Sequence, residues 1–126
     1  MPTISLVLMT VAAVVHIGFF VVESLLWDRP QVYRVFGVRS AEEAATMEFA
    51  LFNQGFYNLF LGLGSLVGVA ISSDTIVSGR HELLVFCALF MIGAAIVLVA
   101  ANHKLWRGAV IQGGLPAIAL VVALVA

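Results

Sequence analysis

The sequence predicts an all-α membrane protein: a bundle of four transmembrane helices forming a single domain over residues 1–126, with a short interfacial helix between the first two. Composition is the first reason. Of 126 residues, 63% are hydrophobic and 10% are charged, against about 25% charged in an ordinary soluble domain. The second reason is that the charges are segregated. They leave uncharged runs at 49–73, 83–101 and 108–126, and a run at 1–22 whose only ionisable side chain is His16. Each run suits a helix of roughly 20 residues crossing about 30 Å of hydrocarbon. The third is that five of the six Lys and Arg residues fall on one of the two sides those helices define.

Helix 1 is expected over about 4–27. The run at its start lacks a basic leader and is long enough to span, so it reads as a retained helix rather than a signal peptide. "WDRP" ends it, with Asp28 as a candidate cap and Pro30 in the first turn of the next helix. "PQVYRVFG" then reads as an interfacial helix over about 30–36. Val32, Val35 and Phe36 share one face, Gln31 and Arg34 the other, and Gly37 is the C-terminal cap.

Helix 2, about 41–71, opens on a capping box at Ser40–Glu43. Its first turns carry Glu42, Glu43 and Glu48, which belong in water or headgroups. "SSDTIVSGRH" makes the polar connection to helix 3 at about 82–101, and "NHKLWRG" turns into helix 4 at about 105–125. Helices 3 and 4 are expected to be an antiparallel pair.

Arg29, Arg34 and Arg39 in the first loop and Lys104 and Arg107 in the third lie on one side, against Arg80 on the other. The positive-inside rule makes this a multi-pass cell-membrane protein with the first and third loops cytoplasmic and both termini outside. Trp27 and Trp106 fall at the inner boundary, where indole rings favour headgroups. The net charge of −1 offers no basic track for nucleic acid. The single cysteine, Cys87, reads as a small buried hydrophobe.

Polar residues within the spans mark a candidate site. Glu23 on helix 1, Asn53 and Gln54 on helix 2, Asn102 and His103 closing helix 3, and Gln112 on helix 4 all map to the inner leaflet, with His16 and Asn58 nearer the midplane. This describes a funnel open to the inner surface. His16 and Glu23, seven residues apart, project from one face with an axial separation of roughly 10 Å. Asn53, Gln54, Tyr57 and Asn58 fill an arc of about 140° on helix 2, which must face protein or a wet cavity because bare amides in lipid are costly. Pro116 frees the carbonyl of Gln112 four residues earlier, and Gly113 and Gly114 allow a bend or a close approach. Gly64 and Gly68 form a GxxxG pair suited to close helix packing, a homodimer included.

Several functions fit these residues. The leading expectation is a pocket for a small or amphipathic molecule, with Glu23 as the charged or proton-exchanging group and Asn53, Gln54, Asn58 and Gln112 orienting the ligand. A small proton-coupled exporter is a second reading. A structural or accessory subunit is a third, its amides only knitting the bundle and Glu23 reaching the interface or a first-loop arginine. A lipid isomerase using Glu23 and His16 as acid and base is the weakest, given their separation. No metal or other cofactor is expected, since no HxxxH or ExxH spacing offers two ligands from one face.

His16, Glu23, Trp27, Pro30, "FG" at 36–37, "NQGFYN" at 53–58 and "QGGLP" at 112–116 together resemble the small membrane proteins grouped as domain of unknown function 1304. The resemblance runs nearly end to end and implies a four-helix integral membrane protein. It carries no activity with it.

Overall fold

A computed structural model describes residues 1–74 and 80–126; the middle of the expected "SSDTIVSGRH" connection lies outside the described residues. Helix α1, Thr3–Phe20, continues into one π-helical turn, Val21–Leu25. Helix α2, Pro30–Tyr33, is extended by a 3-10 turn at Arg34–Phe36. Helix α3 is Ala41–Ser73 and α4 is Glu82–Ala101. A 3-10 turn at His103–Leu105 leads into α5, Trp106–Val125. Four helical spans, Thr3–Leu25, Ala41–Ser73, Glu82–Ala101 and His103–Val125, are long and apolar enough to cross a membrane. The chain is an all-α membrane bundle.

The helices form a closed ring in which α1 packs on α3 and α5, and α4 packs on α5 and α3. Two ends can be distinguished. The basic end carries Arg29, Arg34, Arg39, Lys104 and Arg107, and the terminal end carries both chain termini. Without a hydrophobic drive between helices in lipid, close backbone approach through small residues supplies the packing. A Cβ on Gly62 would lie 2.9 Å from the Ala13 carbonyl oxygen, and one on Gly68 would lie 3.1 Å from the backbone of Leu84. Gly64 faces Cys87, so the GxxxG pair serves the α3–α4 contact within one chain. The terminal half closes around Met9, Ala12, Leu84, Cys87, Ala88, Met91 and Ala119.

Where the chain turns at the basic end, the structure departs from expectation at two places. The residue capping α2 is Arg29 in extended conformation, not Asp28, although Pro30 does occupy the first turn. The inward face of α2 and its 3-10 turn is Tyr33 with Val32 and Phe36, whereas Val35 is 78% exposed. The tightening from α to 3-10 changes the angular step, which takes Val35 out of the stripe. Gly37 ends the segment as expected, with φ 83 in the left-handed region.

Trp27 is 3% exposed and forms a second core with Tyr33, Val38, Ala44 and Leu51. Its indole N–H donates to the Ala44 carbonyl at 2.9 Å, and its ring meets Phe36 edge-on at 5.3 Å. The first turns of α3 and the α2 segment wrap it, giving the indole a protein partner for both its ring and its N–H. Trp106 remains 54% exposed, with the Arg107 guanidinium 5.4 Å from its ring centre. The Ser40 hydroxyl accepts from the Glu43 amide at 3.1 Å, as expected for the start of α3.

Candidate functional site

Glu23 lies in the middle of the π-helical turn, where the Leu26 amide bonds back to the Val21 carbonyl. A π turn inserts one residue into the helical register, and such turns concentrate at functional sites. The wide turn also brings Ser24 over Gly55, so that its hydroxyl reaches the Phe52 carbonyl at 2.7 Å. Any side chain at position 55 would collide with Ser24. Ser24 was not among the predicted site residues. Its only signal in the sequence is a hydroxyl beside a carboxyl in an otherwise apolar run.

Held this way, Glu23 is buried, 3% exposed, and points at α3. Asn58 Nδ2 donates to one carboxyl oxygen at 3.0 Å, and Gln54 Nε2 donates to the other at 3.4 Å. Among the described residues no arginine pairs with it, so neither snorkelling nor a first-loop ion pair describes its environment. Two amides on one ridge of α3 satisfy it instead. Each carboxylate oxygen has two acceptor sites and spends one here, so capacity for further donors remains.

The predicted arc on α3 divides. Residues 54 and 58 lie about 40° apart and form the ridge toward Glu23, while 53 and 57 form the next ridge, rotated by about 100°. Asn53 is exposed and donates weakly to the Tyr57 hydroxyl at 3.4 Å, and Tyr57 is 63% exposed. That pair looks outward, beside a ladder of Phe52, Phe56 and Phe60. The whole arc therefore does not face the bundle.

The remaining predicted residues are placed apart from this cluster. His16 is fully buried, with Nδ1 2.8 Å from the Ala12 carbonyl and the Phe19 ring edge-on at 5.4 Å. A carbonyl accepts only, so Nδ1 carries the proton and Nε2 presents its lone pair. Among the described residues Nε2 is buried without a partner. Gln112 is half-buried on α5 and does not bond to Glu23. Asn102 caps the 3-10 turn by accepting from the Lys104 amide at 3.1 Å, and His103 is exposed beside it. These two are turn residues, not members of a site. Surface hollows at Ile71, Arg80, Glu82 and Leu83, and along His81 to Leu89, lie at the terminal end of α3 and α4 and contain none of the predicted site residues.

An all-helical bundle whose apolar spans enclose one carboxyl group and its amide partners defines a small integral membrane protein. The chain belongs to the family described as "Protein of unknown function (DUF1304)", which it matches over residues 10–124. No curated protein and no solved structure matches it.

Proposed function

We propose that the protein binds a small or amphipathic molecule in a polar recess at Glu23, entered from the cytoplasmic leaflet. One observation carries this reading. Along the ridge of α3 that carries the two amides, Ser72, Gly68 and Ser65 are buried, Leu61 and Asn58 are half-buried, and Gln54 is exposed, while Gly55 and Leu51 on the adjoining ridge stay buried. Exposure thus rises toward the basic end along the amide ridge alone, and Gln54 marks an edge of the α1–α3 contact that is open beside Glu23. The excess of Arg and Lys at that end supports a cytoplasmic placement for it.

A carboxyl group buried in a membrane segment is costly and is a functional candidate by default. Gln54, in contact with both Glu23 and the exterior, supplies the route by which a ligand would reach it. The apolar core around Met9, Leu84 and Met91 closes the opposite half and gives the recess a floor. The test is the set of amphipathic molecules that co-purify with the protein in mild detergent, identified by native mass spectrometry. Glu23→Gln should lose a bound species that the parent retains, at similar thermal stability. An identical set of bound species in both proteins would remove the proposal.

A further inference from the structure

The recess has a second polar depth. The inward stripe of α1 steps through Ser5, Met9, Ala12, His16, Phe19 and Glu23 in alternating intervals of four and three, and all of these are buried except Phe19, which is half-buried. Ser5 donates to the Ala119 carbonyl at 2.8 Å, which sets the register of α1 against the antiparallel α5. Gln112, seven residues before Ala119, shares the Ala119 face of its helix and stands at about the height of Ala12. Ala12 is the residue whose carbonyl receives the His16 ring.

His16 Nε2 and Gln112 therefore occupy facing stripes at one height. Two acceptors stand at this level beside the Gln112 side-chain amide, which can both donate and accept. His16 Nε2 offers a lone pair and, among the described residues, is buried without a partner. Pro116 has no N–H to give the Gln112 carbonyl, which leaves a second acceptor on α5. Glu23 lies seven residues further along the same stripe, about 10 Å nearer the basic end. When ionised its carboxylate accepts only, and among the described residues the side chains bonded to it are the amides of Gln54 and Asn58, with no lysine or arginine. Between the two acceptor levels stands Phe19, an apolar ring whose edge rests on His16.

We propose, resting on the reading of Glu23 as a binding site, that the occupant is a bipolar amphiphile: two hydrogen-bond donors separated by an apolar segment, one donor at Glu23 and the other at His16 Nε2. Hydroxyl groups fit both positions. A carboxylate or phosphate head can donate to neither acceptor, and beside an ionised Glu23 it would add a second negative charge.

The experiment uses the full chain in detergent and three probes of one chain length, matched to the roughly 10 Å between the two levels: a heptanediol with a hydroxyl at each end, heptanol, and heptanoate. The diol should bind about tenfold more tightly than heptanol, as one added buried hydrogen bond allows, and heptanoate should bind weakest. His16→Leu should reduce the diol to the level of heptanol. Since that substitution alters a buried position, the parent protein supplies a second measurement: the nitrogen-15 signal of His16 Nε2 should shift with the diol and stay in place with heptanol. Equal affinities for diol and heptanol in the parent, or an unmoved Nε2 signal at saturating diol, would overturn the two-donor proposal. Failure of Glu23→Gln to weaken either alcohol would instead overturn the binding site itself.

Discussion

The terminal half and the basic half of the bundle are built from the same helices and treat polar groups in opposite ways. In the terminal half every inward hydroxyl is spent on a backbone carbonyl: Ser5 on Ala119, Ser65 on Leu61 and Ser72 on Arg80. Glycines and alanines bring the backbones together, and Leu84, Ala88 and Met91 seal the centre. In the basic half Ser24 spends its hydroxyl the same way, on Phe52, but beside it a carboxyl and two amides bond to one another and keep acceptor capacity in reserve. A hydroxyl that returns its hydrogen bond to the backbone is neutral packing material in lipid. A carboxyl group with unspent acceptors is an expense that packing alone does not require.

Substitutions can break this contrast, beginning with the closed half. Met91→Ala would open a cavity at a fully buried position and should lower stability by about 2–5 kcal/mol, read by denaturant titration in micelles. In the polar half, Glu23→Ala would strip Asn58 and Gln54 of their acceptor and should cost about 1–3 kcal/mol, less than the cavity at Met91 in the same titration. Trp27 belongs to neither half, since its core is formed by the loop segment and the start of α3. Trp27→Phe keeps an aromatic ring and loses the bond to Ala44, so about 1 kcal/mol should go, with the tryptophan fluorescence of Trp106 reporting the unfolding. Asn53→Ala should change stability by no more than about 0.5 kcal/mol, because Asn53 faces outward with one long hydrogen bond. A loss at Asn53 as large as that at Glu23 would mean that both ridges of α3 act as glue.

The four spans and the start of α3 were legible because they depend on local chemistry: charge segregation, the Ser40 cap and Gly37. Glu23 with Gln54 and Asn58 was also within reach, since a carboxyl and two amides in lipid must find partners. The split of the 53–58 arc was not, because 100° per residue groups side chains by face but cannot say which edge of the group meets a neighbour. The π turn at Val21–Leu25 escaped for a related reason. It is a choice of backbone register, favoured by the Ser24–Gly55 contact with another helix, and no residue in α1 alone encodes it. The burial of Trp27 was not legible because it requires α2 and α3 to fold over it. Asn102 and His103 were assigned to the funnel on depth alone, whereas the turn they form consumes Asn102 as a cap.

The contrast between an open and a closed half can be measured most directly with thiol reactivity, for which Cys87 is a built-in reference. It is buried in the terminal-half core, 3% exposed, and should resist a small maleimide while the protein is folded. Introducing Asn58→Cys adds a second thiol on the ridge that faces Glu23. The account predicts rapid modification at position 58 by a water-soluble maleimide supplied from the cytoplasmic side, with Cys87 unmodified in the same molecules. Protection of position 58 equal to that of Cys87 would show the cluster to be dry and closed, and would contradict the claim that Glu23 lies in an accessible recess.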